Sequence, residues 1–321
     1  MILVGIDGGA TRTRAIAYHL ELGAVWTGEA GPSNPVNVGV TTAALNIRAA
    51  VEEALRRGGL PIGDVALAVA GLAGLDSRLI LKQVEPHIAS SSGLGQRLVL
   101  EHDAHVAWLH ATRGREGVLV IAGTGSIAYS AHGGRRIVVG NRGWLVGDEG
   151  SGFWLARMAL SRLARALDGR SPHSCLTKGL MQRLSVRNGD ELAYWFFLTR
   201  GRVDRIASVA VHVLELADEG CEDAAELVRQ GAELLAESAC IAARASGSRT
   251  IYVVGSMFKS TTFREAFANQ VEAQGLRLSL SRVYPVLGAL YIALKKAGVE
   301  SPWSIAGSEK LEEVARKLYG T

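Results

Sequence analysis

Apolar and polar positions along this chain follow two periods. Short continuous apolar runs, such as residues 2–6 and 118–122, predict buried β-strands bounded by turn residues. Apolar residues at every third or fourth position, as over residues 41–57, predict amphipathic helices. Predicted strands and helices alternate along the first third of the chain, and this order indicates an α/β fold.

The remaining predicted elements follow the same two periods. Predicted strands cover residues 14–20, 24–28, 65–70, 97–101, 127–131, 137–139, 250–254 and a short segment near 278. Predicted helices cover residues 77–87, 104–112, 150–167, a looser region to 198, then 203–217, 222–245, 262–273, 287–297 and 308–319. The order of strand, glycine turn and hairpin occurs twice, which indicates a weak internal duplication.

The first buried strand ends in a turn rich in groups that bind phosphate and metal. Asp7, Gly8 and Gly9 are followed by Thr11 and Thr13. Glycine lets backbone N–H groups approach an anion, and the threonine hydroxyls add donors. The aspartate is placed to hold a cation or a water on that cation. The turn indicates a magnesium–nucleotide phosphate site, and a purely structural hairpin is its alternative.

The segment that follows each glycine turn decides the kind of nucleotide site. Walker and dinucleotide sites need a helix directly after the turn. Here the apolar and polar positions of residues 14–28 predict a β-hairpin instead. The chain also has no Gly-Lys pair, so the lysine of a Walker site is absent. A second corner, Gly123-Thr124-Gly125-Ser126, formally matches a dinucleotide fingerprint, but a strand is predicted after it too. Two phosphate-binding hairpins, one per domain, fit the sequence better.

Composition narrows the class of protein. A chain of 321 residues with 48% hydrophobic content can bury a substantial core in each of two domains. The net charge is only +4 and the basic residues are scattered, which argues against a nucleic-acid partner. Cys175, Cys221 and Cys240 are isolated, so neither a zinc site nor a disulfide framework is expected. A strand from residue 2 and no membrane-length apolar run predict a cytoplasmic enzyme without a membrane partner.

Seven motifs, in this order, resemble the BadF/BadG/BcrA/BcrD-type ATPases, and within them the N-acetylglucosamine kinases and the archaeal broad-specificity hexokinases. The motifs are Gly5–Thr13, Gly31–Pro35, Ala70–Gly74, Glu101–Ala104, Gly123–Ser126, Gly143–Trp154 and Val254–Ser260. The resemblance implies two actin-like, or ribonuclease H-like, α/β domains around a nucleotide-binding cleft. With a hinge at Arg113-Gly114-Arg115, it implies an N-terminal domain of residues 1–113 plus the helices of 286–321, and a C-terminal domain of residues 114–285.

The resemblance also implies a catalytic base and a set of sugar contacts. Asp103, between a strand and a helix, would orient the 6-hydroxyl of the sugar and take its proton; a helix cap is the alternative for this residue. His102 beside it is expected to be packed or solvated. A helix cap is also the alternative for Asp148. The implied sugar contacts are Asn34, Gly71, Leu72, Asp103, Gly143, Trp144 and Asp148.

ATP and Mg²⁺ are the implied cofactors. Asp7 would anchor the hydrated metal, and the turn at Gly255-Ser256-Met257 would lie beside the adenosine, with a plain strand-to-helix loop as its alternative. The expected nucleotide contacts are Gly8, Gly9, Thr11, Arg12, Thr13, Gly123, Thr124, Gly125, Gly255, Ser256 and Lys259.

The resulting expectation is an ATP-dependent sugar kinase that phosphorylates the 6-hydroxyl of a hexose or amino-hexose, such as glucose or N-acetylglucosamine. One alternative is an ATP-hydrolysing activator or switch protein with no sugar substrate, and another is a kinase for a non-sugar acceptor. The cysteines lack the glycine-cysteine motif of iron–sulfur activators, which disfavours that class. The sequence leaves a homodimer and the preferred hexose open.

Overall fold

The structure, a computed structural model, describes residues 1–75 and 77–320. Thr321, which closes the predicted N-terminal domain, lies outside the described residues. The chain forms two compact units. Unit 1 combines residues 1–115 with the segment from Arg282 onward, and unit 2 comprises residues 116–281.

The strands and helices of the structure occur in the order that the hydrophobic pattern predicts. The strands are β1 (Ile2–Gly8), β2 (Thr13–His19), β3 (Ala24–Ala30), β4 (Val65–Leu72), β5 (Leu98–His102), β6 (Val118–Ala122), β7 (Ser126–His132), β8 (Arg135–Gly140), β9 (Thr250–Val254) and β10 (Arg277–Leu280). The helices are α1 (Pro35–Val38), α2 (Val40–Arg56), α3 (Arg78–Ser91), α4 (Asp103–Thr112), α5 (Gly152–Leu167), α6 (Cys175–Leu184), α7 (Gly189–Thr199), α8 (Val203–Ala207), α9 (Val209–Asp218), α10 (Glu222–Ser246), α11 (Thr261–Glu272), α12 (Pro285–Lys296), α13 (Pro302–Ala306) and α14 (Glu309–Tyr319). None of these helices has the length and apolar character needed to cross a membrane.

The first sheet has the strand order β3-β2-β1-β4-β5. β1 pairs antiparallel with β2 and parallel with β4, which confirms the predicted hairpin. Alternate residues of β1 face opposite layers: Ile2, Val4 and Ile6 join the core under α2, and Leu3 joins the core under α12. At Gly5 a Cβ would lie 2.4 Å from the Val286 carbonyl oxygen, so the backbone of α12 packs directly on the central strand.

The second sheet repeats the arrangement of the first. Its order is β10-β9-β6-β7-β8, in which β6 pairs antiparallel with β7 and parallel with β9, as β1 does with β2 and β4. Ser126 begins a strand rather than a helix, so the glycine corner before it lacks the helix that a dinucleotide site requires. The predicted duplication and the α/β fold class are both confirmed.

Two expectations from the sequence are wrong. The helix predicted over residues 203–217 breaks at Ser208, whose hydroxyl donates to the Arg205 carbonyl at 2.7 Å and competes with regular helical pairing. Cys175 and Cys221 form a disulfide that joins the start of α6 to the N-cap of α10. These cysteines are 46 positions apart, and no local pattern shows that the two helix ends meet.

Candidate active site

Asp7 lies at the carboxyl end of β1, and its carboxylate is partly buried. Its Oδ2 accepts a hydrogen bond of 2.5 Å from the hydroxyl of Tyr319 in α14. Burial raises the pKa of Asp7 to about 6, although the Tyr319 hydrogen bond and the charge of Arg14 act in the opposite direction. The negative charge of Asp103 contributes to the rise, so the two carboxylates act on each other.

Strand register explains why Asp7 and Asp103 share one edge of the first sheet. The parallel pairing aligns Gly8 with Leu72, and Leu72 with His102. Asp7, the second-last residue of β1, therefore lies at the same sheet edge as Asp103, which directly follows β5. Open α/β sheets bind ligands beyond the carboxyl ends of their strands, which is the position that these two acids occupy.

Asp103 is the first residue of α4, and His102 is its N-cap. The Ala104 amide donates to Nδ1 of His102 at 3.0 Å and to Oδ1 of Asp103 at 2.7 Å. The predicted capping role is thus divided between the two residues. The side chain of His102 is only 11% exposed, whereas that of Asp103 is 36% exposed and can still contact a bound molecule.

The first glycine turn is held by packing and by its own hydrogen bonds. A Cβ at Gly8 would lie 2.3 Å from Oγ of Ser33, and the Gly9 amide closes the turn by donating to the Arg12 carbonyl at 2.9 Å. Thr11 and Arg12 are exposed at the tip of the turn. The backbone, the Thr11 hydroxyl and the Arg12 guanidinium, whose side chain is 62% exposed, are the groups at this tip that can meet a phosphate.

The Thr13 hydroxyl, which is expected from the sequence to bind phosphate, is engaged inside the hairpin instead. The Thr13 side chain is fully buried, and its hydroxyl lies 2.6 Å from the Gly31 carbonyl and 2.7 Å from Oγ of Ser33. A hydroxyl has one proton to donate, and Thr13 uses it inside the hairpin. The Thr13 hydroxyl therefore fixes the turn and, in this arrangement, has no proton left to donate to the phosphate that the sequence assigns to it.

The three other predicted sugar contacts in unit 1 each have a structural role. Asn34 caps α1, because its Oδ1 accepts from the Val36 amide at 3.0 Å. A Cβ at Gly71 would lie 2.2 Å from a methyl group of Val106, so a glycine is needed there for α4 to pack. The Leu72 side chain is buried. Of these three residues, Asn34 keeps the most free polar capacity for a sugar, since Gly71 and Leu72 lie in β4, which is paired on both sides.

The second glycine corner is tied to the N-terminus of α5. The Gly152 amide donates to the Gly123 carbonyl at 2.7 Å, and the Phe153 amide donates to the Thr124 carbonyl at 3.1 Å. Within the corner, the Gly123 amide donates to the Gly125 carbonyl at 2.9 Å. The Thr124 side chain is exposed, and this places a hydroxyl donor at the tip of a rigid turn.

Asp148 lies against this corner. A Cβ at Gly125 would be 2.8 Å from Oδ2 of Asp148, so only glycine lets the carboxylate approach so closely. Asp148 is buried and adopts a φ of +55°, a conformation that non-glycine residues rarely hold. Ser151 caps α5 through a hydrogen bond of 3.1 Å from the Trp154 amide. Ser151, and not Asp148, is therefore the N-cap of α5.

Gly143 and Trp144 lie in the loop before Asp148. Gly143 has a φ of +85°, and Trp144 is 46% exposed with its ring packed edge-on against Phe153 at 5.2 Å between centroids. Leu145 and Val146 beside it are exposed as well. An indole with one free face on a turn of this kind can pack against the apolar face of a sugar ring.

A cavity of about 560 Å³ in unit 2 brings together predicted nucleotide residues from two segments. Gly123 and Thr124 line it from the second corner, and Ser256 and Lys259 line it from the turn after β9. Gly255 has a φ of +122°, and a Cβ there would lie 2.0 Å from the Ala122 carbonyl oxygen, so this turn packs on the strand that leads into the corner. The volume lies within the range of small-molecule sites, roughly 300–1,000 Å³.

The other wall of this cavity was not predicted. It comes from α8 and α9, which look like ordinary amphipathic helices in the sequence; the lining residues are Asp204, Ser208, Val211, Leu214, Glu215 and Asp218. Asp218 accepts hydrogen bonds from the Thr262 amide at 2.9 Å and from Oγ of Ser260 at 2.9 Å, which fixes the start of α11. Burial acts to raise the pKa of Asp218, but these hydrogen bonds hold it below its usual value.

With this geometry in place, comparison with known proteins identifies the family. A sequence model of the BadF/BadG/BcrA/BcrD ATPase family matches residues 4–293. The chain belongs to this family. ATP is the nucleotide that the name of this family implies.

Relatives within the family include sugar kinases. The chain is 32% identical over 200 residues to the glucosamine kinase of Vibrio cholerae, a match that covers 60% of this chain and 64% of that protein. It is 26% identical over 208 residues to the N-acetylmuramic acid/N-acetylglucosamine kinase of Clostridium acetobutylicum, covering 64% and 68%. A solved structure of a candidate N-acetylglucosamine kinase from Chromobacterium violaceum is similar over 90% of this chain and 97% of that one, with 27% identity and a TM-score of 0.73.

Proposed function

We propose that this protein is an ATP- and Mg²⁺-dependent kinase that transfers the γ-phosphoryl group to the 6-hydroxyl of a hexose or amino-hexose. The observation that carries the proposal is the placement of Asp7 and Asp103 at one sheet edge, close enough for their charges to interact. Phosphoryl transfer to an alcohol needs one carboxylate at the metal and one at the nucleophile. Sugar-kinase relatives of this family support the same chemistry.

Asp103 is the proposed base. Its partly exposed carboxylate would accept a hydrogen bond from the 6-hydroxyl, align it for in-line attack and take its proton as the new bond to phosphorus forms. Positioning of this kind contributes about 7–11 kcal/mol to the lowering of a barrier, and the base adds about 10²–10⁴-fold in rate. Asn34 in unit 1 is a further proposed sugar contact, and Asp148 with the loop at Gly143 and Trp144 forms a separate proposed sugar-contact region in unit 2.

The proposed nucleotide contacts lie in each unit separately: the first glycine turn in unit 1, and the second glycine corner with its adjoining cavity in unit 2. Thr11 and Thr124 would donate to phosphate oxygens, together with backbone amides at the tips of their own turns. The turn at Gly255, Ser256 and Lys259 would lie beside the adenosine.

The donor set fits magnesium rather than a metal held by protein alone. Among the residues that the structure describes, no group of three or more His, Cys, Asp and Glu side chains could hold a metal ion. Mg²⁺ keeps several waters and is usually bound by one or two carboxylates plus substrate phosphates. Asp7, a partly buried carboxylate beside the first glycine turn, suits this mode. When bound, the metal would neutralise charge that develops on the phosphates.

The experiment is to compare wild type with Asp103→Asn in an ADP-release assay coupled to hexoses and amino-hexoses. Asn can still accept from the Ala104 amide, so we expect the fold and ATP binding to survive while kcat falls by roughly 10²–10⁴-fold. Asp64→Asn, an exposed acid in the same unit, is the matched control. Near-normal turnover of Asp103→Asn would remove Asp103 from the mechanism. ADP release that is equal with and without sugars would favour an ATP-driven switch instead.

A further inference from the structure

We propose that Tyr319 is a positioning residue that orients the Asp7 carboxylate toward the metal of the bound nucleotide. The proposal rests on the proposed function, since it takes Asp7 as the residue that anchors hydrated Mg²⁺. It assigns a role in the site to the last helix of the chain, which no motif of the sequence connects with phosphate binding.

The direction of the Tyr319 hydrogen bonds is set by its neighbours. The Val286 amide at the start of α12 can only donate, and it lies 3.4 Å from the Tyr319 hydroxyl oxygen. The hydroxyl proton is therefore directed to Oδ2 of Asp7, at 2.5 Å. The phenol thus accepts from the backbone of one helix and donates to the carboxylate.

The ring of Tyr319 also packs against two neighbouring side chains. The Arg14 guanidinium lies 4.2 Å from the ring centroid, and the Tyr284 ring lies 5.3 Å away, centroid to centroid. Nε of Arg14 also reaches the Leu318 carbonyl at 3.3 Å and Oε1 of Glu29 at 3.2 Å. Because Arg14 pairs with Asp7 across the β1–β2 hairpin, the residue that packs on the ring is anchored beside the carboxylate itself.

This arrangement gives the two carboxylate oxygens different tasks. Oδ2 is engaged by Tyr319, so Oδ1 is the oxygen that can accept from a metal-bound water. A carboxylate without the phenol would rotate about its last side-chain bond and hold that water less well. Partners that orient a metal-binding group in this way typically change metal affinity by about 10–100-fold when they are removed.

The test is Tyr319→Phe, which deletes the hydroxyl and keeps the ring against Arg14 and Tyr284. Mn²⁺ is titrated into the protein saturated with a non-hydrolysable ATP analogue, and free Mn²⁺ is measured by electron paramagnetic resonance. Binding of the analogue without metal is measured by calorimetry, and folding by thermal melting. Tyr291→Phe is the matched control, because it removes one phenolic oxygen from α12 in the same unit, where the ring stacks on Trp303 at 4.4 Å.

We expect Tyr319→Phe to bind Mn²⁺ about 10-fold or more weakly, with unchanged affinity for the metal-free analogue, while Tyr291→Phe behaves as wild type. Unchanged Mn²⁺ affinity with a lower melting temperature would show that Tyr319 has a structural role only. Tighter Mn²⁺ binding would show that Tyr319 competes with the metal. Either result overturns the proposal. In an Asp7→Asn background the substitution should have no further effect, and an equal loss there would also overturn it. Failure of wild type to bind Mn²⁺ with the analogue would instead refute the proposed function.

Discussion

The raised pKa of Asp7 predicts that ionisation of this carboxylate destabilises the metal-free protein near neutral pH. The folded-state pKa is about 6, against 3.8 for the unperturbed group. Because the folded protein binds this proton more tightly than the unfolded chain does, protonation favours folding. The stabilising contribution is complete below about pH 4 and is lost as the pH rises through about 6.

The size of the expected loss in stability follows from the shift in the pKa of Asp7. At about 1.4 kcal/mol per pKa unit, and with allowance for partial exposure, the loss amounts to about 2–3 kcal/mol in the free energy of unfolding. Asp7→Asn removes the titration but can still accept the hydrogen bond from Tyr319. We therefore expect the variant to exceed wild type in stability by about 2–3 kcal/mol at pH 8 and to equal it at pH 4.

The assay is urea unfolding of metal-free protein at several values between pH 4 and pH 8, with Asp64→Asn as a control for the change in net charge. The unfolding of unit 1 should be followed through the fluorescence of Trp26, Trp108 and Trp303, in variants where the tryptophans of unit 2 are replaced. A difference between Asp7→Asn and wild type that is constant over this range would refute the reasoning. So would a variant that is less stable than wild type at pH 8.

Two further predictions concern unit 2. Gly255→Ala should lower the free energy of unfolding by about 1–3 kcal/mol or more and weaken ATP binding, because its φ of +122° and ψ of 165° are almost restricted to glycine and its Cβ would overlap backbone. Gly220→Ala is the control, because this glycine has a φ of +93° but open space around it. Equal melting temperatures for the two variants would contradict the prediction. Reduction of the Cys175–Cys221 disulfide, which closes a loop of 46 residues, should lower the free energy of unfolding by about 4 kcal/mol in urea titrations with and without dithiothreitol. A double Cys→Ser variant that responds to dithiothreitol as strongly as wild type would contradict that assignment.

Local patterns were sufficient for the strands and for the acids that follow them. The continuous apolar runs over residues 65–70 and 118–122 became strands β4 and β6, because a parallel strand covered on both faces needs continuous apolar character. Asp7 and Asp103 could be predicted as candidates because each lies at the carboxyl end of a predicted strand, and parallel strands end at a common edge. The second glycine corner could be separated from a dinucleotide site by the alternation in the residues after it.

The parts that the sequence did not predict depend on contacts between distant segments. Tyr319 meets Asp7 across 312 positions, and in the sequence it is one residue on an amphipathic helix. Thr13 looked like a phosphate donor because its residue type is right, but the direction of its side chain depends on the Gly31–Ser33 segment. The α8–α9 wall of the cavity carries no motif, since helices that line a nucleotide pocket need only small and polar groups at a few positions.

The two segments that form unit 1 are separated in the chain by the whole of unit 2, and this affects how the protein folds during its synthesis. Unit 2 is one continuous segment, residues 116–281, so it is complete while the protein is still being made. The β1 face that carries Leu3 stays uncovered until α12 has left the ribosome. We therefore expect nascent chains that stop shortly after residue 281 to contain a folded second half and an exposed apolar sheet in the first. Such chains would be preferred clients of chaperones and proteases.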